Sequence, residues 1–171
     1  MGAMSIRGIF PAFMKQLQRQ WTVELPSLSG IPGALGSMPK ASTFYAGKEP
    51  AAGRHVFVWI QASVKRPGEF TVNIVLSDAP DAPAPWRPLD RGAFTSRAVG
   101  LYRLGDLVRG SDKWWCLAQG PASHGLRWRA SSYHDQAAVF EEAIADVTVD
   151  VRAVLAELGL RNDGMQQASH G

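Results

Sequence analysis

Apolar and polar residues alternate along two stretches in the first half of the chain. From His55 to Val64 the even positions are Val56, Val58, Ile60, Ala62 and Val64, while the odd ones are His55, Phe57, Trp59, Gln61 and Ser63. Glu69 to Ser77 repeats the pattern, with Phe70, Val72, Ile74 and Leu76 set against Glu69, Thr71, Asn73, Val75 and Ser77. Successive strand side chains point to opposite faces, so each stretch predicts a strand with one dry face and one mixed face. Lys65-Arg66-Pro67-Gly68 between them supplies a Pro-Gly turn and makes the pair a hairpin. Ser42 to Ala46 reads as a shorter strand beside it.

Elsewhere the period lengthens to that of a helix. Ile6, Phe10, Phe13, Met14, Leu17 and Trp21 form one stripe; Pro11, lacking an N–H, belongs in the first turn, so the helix is expected from Phe10. Phe140, Ile144, Val147, Val151, Val154, Leu155 and Leu158 mark a longer C-terminal helix. Ser132 and Asp135 start it in the manner of a capping box, and Gly159 ends it with Leu160 placed to reach back to Leu155. Leu25 to Lys40, rich in Pro and Gly, reads as a long loop, and Asp78 to Asp90 as a spacer. Ser96 to Leu104, Lys113 to Gln119 and Leu126 to Ala130 read as short strands, with Gly105 and Gly110 bracketing a tight connection. The elements add up to an α+β fold, an antiparallel sheet with an N-terminal helix and a long C-terminal helix packed on one face.

A chain of 171 residues is large enough to bury a core without disulfides or metal. A single domain is expected over residues 10–160, with a tag remnant and flexible N-terminus over 1–9 and a flexible tail over 161–171. The mixed Ile6 to Gln20 segment is not a signal peptide, and no stretch approaches the ~20 apolar residues that span a bilayer. The expected location is the cytoplasm, with no membrane partner. Cys116, between Trp115 and Leu117, reads as a small buried hydrophobe.

The net charge of +3 is unevenly placed: Arg87, Arg91, Arg97, Arg103, Arg109, Lys113, Arg127 and Arg129 crowd the middle, and acids dominate the last helix. A catalytic set is missing from the pattern. His55, His124, His134 and His170 have no ligand spacing, so neither a metal nor a cofactor is expected. Ser131 and Ser132 near His134 are explained by capping, and no Gly-x-Ser-x-Gly elbow exists. Glu141 and Glu142 are helix neighbours that point in different directions, and Gly30, Gly33 and Gly36 do not make a dinucleotide fingerprint.

The densest stretch is Arg103-Leu-Gly-Asp-Leu-Val-Arg-Gly-Ser-Asp-Lys-Trp-Trp115, which joins fixed charges, two turn glycines and a tryptophan pair. On a strand Trp114 and Trp115 face opposite ways, so one is buried. It follows a helix, Thr43-Phe44-Tyr45, Val56-Phe57-Val58-Trp59-Ile60-Gln61 and Phe70-Thr71-Val72-Asn73-Ile74, and leads through Asp112-Lys113-Trp114-Trp115 to a closing helix. Taken from Phe10 to Leu160, this order resembles the uncharacterised family known as domain of unknown function 4304. The resemblance implies a compact α+β domain in which Phe70, Asn73, Arg103, Gly105, Asp112, Lys113, Trp114 and Trp115 hold the sheet and its turn together. It carries no catalytic residues, and it associates the chain with bacterial toxin-neutralising genes.

The resulting expectation is a non-enzymatic protein-binding module, an immunity-type protein that neutralises a toxin or effector by occluding its site. Trp59, Trp86, Arg87, Arg91 and Arg97 are the candidate partner-binding residues, the tryptophans as aromatic anchors and the arginines as charges that steer encounter. The alternative is a nucleic-acid-binding domain that uses the basic, aromatic-rich middle region.

Overall fold

The computed structural model describes residues 6–31, 42–51, 53–80, 87–120 and 126–160. In chain order the elements are α1 (Ile6–Glu24), β1 (Ser29–Ile31), β2 (Ser42–Lys48), β3 (His55–Ala62), β4 (Glu69–Ser77), α2 (Arg91–Thr95), β5 (Gly100–Arg103), α3 (Leu104–Arg109), β6 (Lys113–Cys116), β7 (Leu126–Arg129) and α4 (Gln136–Glu157). The strands form one sheet in the order β1-β2-β3-β4-β6-β7, and β5 lies beside β4 as well. The α+β class is therefore as expected, but the sheet is mixed. It is antiparallel from β1 to β6, and β7 joins β6 in parallel, with Trp114 opposite Arg127 and Trp115 opposite Trp128.

The β3–β4 hairpin is the centre of the sheet, in a register that pairs Val58 with Ile74 and Ile60 with Val72. Its even-numbered residues face α1 and α4, and Val58, Ile60, Val72 and Ile74 share one buried cluster with Ile144, Val147 and Val151. Helix α1 contributes Ile9, Phe13, Leu17 and Trp21, spaced by four residues so that they lie along one stripe. Phe13 packs at 4.9 Å from Phe70 and 5.6 Å from Phe140, and the Trp21 indole N–H donates to Thr148 Oγ1 at 2.9 Å. These contacts lock both helices to each other and to the sheet.

Several boundaries differ from the expectation. Helix α1 begins at Ile6 rather than Phe10 and carries Pro11 inside it. Pro11 and Arg7 are both exposed, which puts the hydrogen bond that the proline cannot make on the outer side of the helix, while Ile9 of the extra turn is buried. The segment expected as one loop from Leu25 contains β1, stabilised by pairing Ser29 with Ala46 and Ile31 with Phe44. The rest of that loop, the middle of the Asp78 to Asp90 spacer and the tail over 161–171 lie outside the described residues.

The connection between Gly105 and Gly110 is helix α3, not a simple turn. Asp135 alone caps α4, accepting from the Ala137 N–H at 3.0 Å, and the Ser132 hydroxyl accepts from His134 instead. At the other end the Leu160 N–H donates to the Leu155 carbonyl at 2.8 Å, the backbone return expected there.

Candidate functional site

Two structural groups occupy the residues singled out in the sequence. The first is a buried charge cluster on the helix side of β6. Lys113 is almost wholly buried, and its Nζ lies 2.6 Å from Asp146 Oδ2 and 2.9 Å from Asp150 Oδ2. Arg109 of α3 reaches the other Asp150 oxygen at 3.0 Å, and the Trp115 indole N–H donates to Asp146 at 2.9 Å. Trp115 is fully buried and stacks on Phe70 with 5.3 Å between centroids. Gly105 is required beneath this cluster, because a Cβ there would stand 2.5 Å from both the Lys113 nitrogen and the Ser111 carbonyl oxygen. The cluster joins α3, β6 and α4, so Phe70, Gly105, Lys113 and Trp115 hold the architecture together.

The second group lies on the opposite face of the sheet. At its apolar end Phe57, Trp59, Val75 and Leu101 form a separate buried cluster. At its polar end Arg103 Nη1 donates to Asn73 Oδ1 at 3.0 Å and to Gln61 Oε1 at 3.2 Å, and the Asn73 amide donates to the same Gln61 oxygen. Asp112 lies 4.0 Å from Arg103 Nε and accepts the Trp114 indole N–H at 3.1 Å. Burial, and then the neighbouring Asp112, push the Asp106 carboxyl up, with Arg103 opposing the shift.

Beside this network an open groove of about 380 Å³ crosses β3, β4, β6 and β7. Gln61, Val64, Glu69, Trp114 and Arg127 line it, together with Lys65 and Arg66 of the hairpin turn. The Arg127 guanidinium sits 5.6 Å from the centre of the Trp114 ring and 3.8 Å from Glu69. Trp114 is thus a partly exposed indole held at its N–H by Asp112 and at its face by a cation. Val64 beside it is 93% exposed. Cys116 faces Glu69 at 3.6 Å; burial first, then the Glu69 charge, push its thiol up to about 11, so it stays protonated and a poor nucleophile at neutral pH.

The expected partner-binding residues do not converge here. Trp59 is 2% exposed and belongs to the buried cluster, which corrects its reading as an exposed anchor. At Phe57 and Trp59 the mixed face of β3 is packed rather than wetted, which alternation alone does not reveal. Arg91 makes a two-pronged bond to Glu157 at 2.8 and 2.9 Å. Arg97 donates to the Phe94 and Glu157 carbonyls and lies 3.5 Å from Glu49. Both guanidinia also sit over the Phe94 ring, so this pair ties α2 to the end of α4. Arg87 is exposed, and Trp86 lies outside the described residues.

Gln61, Val64, Lys65, Arg66, Glu69 and Arg127 line the groove without being among the residues expected to bind a partner. The hairpin itself placed Lys65 and Arg66 at an exposed turn, a usable signal. Arg127 had none, because the parallel pairing that brings β7 beside β6 is non-local.

No protein-family model, curated protein or solved structure matches the chain. Among the described residues there is no group of His, Cys, Asp or Glu arranged to hold a metal ion, and no helix long and apolar enough to cross a membrane.

Proposed function

We propose that the chain is a non-enzymatic protein-binding module acting in the cytoplasm, of the immunity type that neutralises a toxin or effector by occluding its site. Its recognition surface is the groove across β3, β4, β6 and β7. The observation that supports this reading is Trp114, a partly exposed indole already held by Asp112 and Arg127 beside the exposed Val64. An aromatic fixed before binding loses little side-chain freedom on association, and such residues carry much of the energy of protein interfaces. The protonated Cys116 thiol and the Glu69 carboxylate facing Arg127 are poorly placed as a nucleophile and a base, which favours binding over catalysis. The sequence resemblance to domain of unknown function 4304 points the same way.

A cation against an indole also suits the nucleic-acid reading, since bases stack on aromatic rings and arginines meet phosphates. Glu69 and Asp112 offset Arg127 and Arg103, which lowers the positive charge open to a phosphate backbone, so the protein partner is preferred.

Co-expression with the products of neighbouring genes tests the proposal. Growth rescue from one of them is expected, with a co-purifying complex that is lost in Trp114→Ala. Failure of rescue and of complex formation with every neighbour, with bound oligonucleotide recovered instead, overturns it.

A further inference from the structure

The groove carries an imbalance of charge whose position is fixed by the hairpin. Glu69 faces Arg127 at 3.8 Å and Asp112 faces Arg103 at 4.0 Å, so each of these two carboxylates has an arginine opposite. Lys65 and Arg66 are exposed, and among the described residues no ion pair involves either side chain. Among the described residues they are the charges of the groove that no ion pair offsets.

Their backbone is tightly held. The Ser63 N–H donates to the Glu69 carbonyl at 2.8 Å, the Glu69 N–H donates to the Arg66 carbonyl at 3.1 Å, and the Ser63 hydroxyl accepts from the Arg66 N–H at 3.0 Å. Gly68 adopts a φ of 84°, and its carbonyl accepts from the Leu117 N–H at 2.8 Å, which fastens the turn to the end of β6. The two cations therefore project from a preset turn, with the apolar Val64 and Trp114 along the same groove.

We infer that the groove recognises an acidic segment of a protein partner, with a partner carboxylate met by Lys65 and Arg66 and its apolar neighbours packed on Val64 and Trp114. This rests on the protein-binding reading above and adds the chemistry of the anchor. A carboxylate on an otherwise mixed segment fits this groove better than a nucleic acid. Two such charges suffice for a carboxylate but are few for a run of phosphates, because Glu69 already occupies Arg127, and Val64 offers contact only to an apolar group.

The test is selection of a random-peptide display library on the intact chain, followed by binding of the selected peptides to the wild type, to Trp114→Ala and to the double variant Lys65→Glu with Arg66→Glu. Peptides enriched in Asp and Glu are expected. Their affinity should fall about tenfold in the charge-reversed variant and weaken as salt rises. Because both side chains are exposed, the melting temperature of that variant should match the wild type. Selected peptides that lose binding in Trp114→Ala but carry no acidic bias, or bind the charge-reversed variant unchanged, overturn the acidic anchor and leave the protein-binding reading standing. Peptides indifferent to Trp114→Ala, or displaced by oligothymidylate in preference to any peptide, overturn both.

Discussion

The ammonium of Lys113 lies 2.9 Å from Oδ2 of Asp150, joining strand β6 to helix α4 through a carboxylate with no exposure to solvent. A charge pair taken out of water is expensive to form and more expensive to break. Asp150→Ala should therefore destabilise the fold by about 3–5 kcal/mol, because it leaves the Lys113 charge buried with only Asp146 beside it. Replacing both partners, Lys113→Met with Asp150→Leu, should recover most of that loss. Urea denaturation of the single and double variants measures the difference, and equal losses in both would show that packing rather than charge sets the cost.

The two adjacent tryptophans should separate cleanly. Trp115 is fully buried on Phe70, so Trp115→Ala should cost about 3–5 kcal/mol. Trp114 is partly exposed and bonded to Asp112, and its removal should cost about 1 kcal/mol while abolishing partner binding. Denaturant midpoints and a binding assay, run on both variants, distinguish the roles.

Trp59→Ala is expected to behave like Trp115→Ala. Its indole belongs to the cluster with Phe57, Val75 and Leu101, so the loss appears in stability, about 3–5 kcal/mol. If the variant kept the wild-type melting temperature and lost its partner, Trp59 would return to the recognition surface.

Gly105→Ala should destabilise by about 1–3 kcal/mol, although alanine is the better helix former. The obstruction is backbone, the Lys113 nitrogen and Ser111 carbonyl, and neither can swing aside as a side chain would. A melting temperature at or above that of the wild type would contradict the close approach of α3 to β6.

Stability should fall in alkali. Burial raises the Cys116 thiol from 9.0 to about 11, so the unfolded chain loses that proton before the folded one does. A raised folded-state value means stability that is complete below pH 9 and lost as the pH climbs toward 11. Cys116→Ala should flatten part of this decline. Tyr45, raised by burial to about 12, continues it at higher pH. Thermal unfolding followed across this range supplies the check, with a pH-independent melting temperature as the contrary result.

Local periodicity determined much of this protein. The hairpin, the stripe of α1 and the long α4 were legible because a period of two or of about 3.6 is written in neighbouring residues, and burial of one face enforces it. The separation of Trp114 from Trp115 followed from the same alternation: Trp115 joins the core and Trp114 lines the groove. What alternation does not contain is the cover on each face. Trp59 and Gln61 share the odd face of β3, yet Trp59 is buried and Gln61 lines the groove, a difference set by packing from other parts of the chain. The arginines divided for the same reason. Arg91 and Arg97 are drawn in by Glu157 and Glu49, distant in sequence, and Arg127 reaches Trp114 only because β7 pairs in parallel with β6. Charge composition was legible residue by residue; which charges remained to meet a partner was decided by tertiary structure, because an ion pair depends on distance in space and not along the chain.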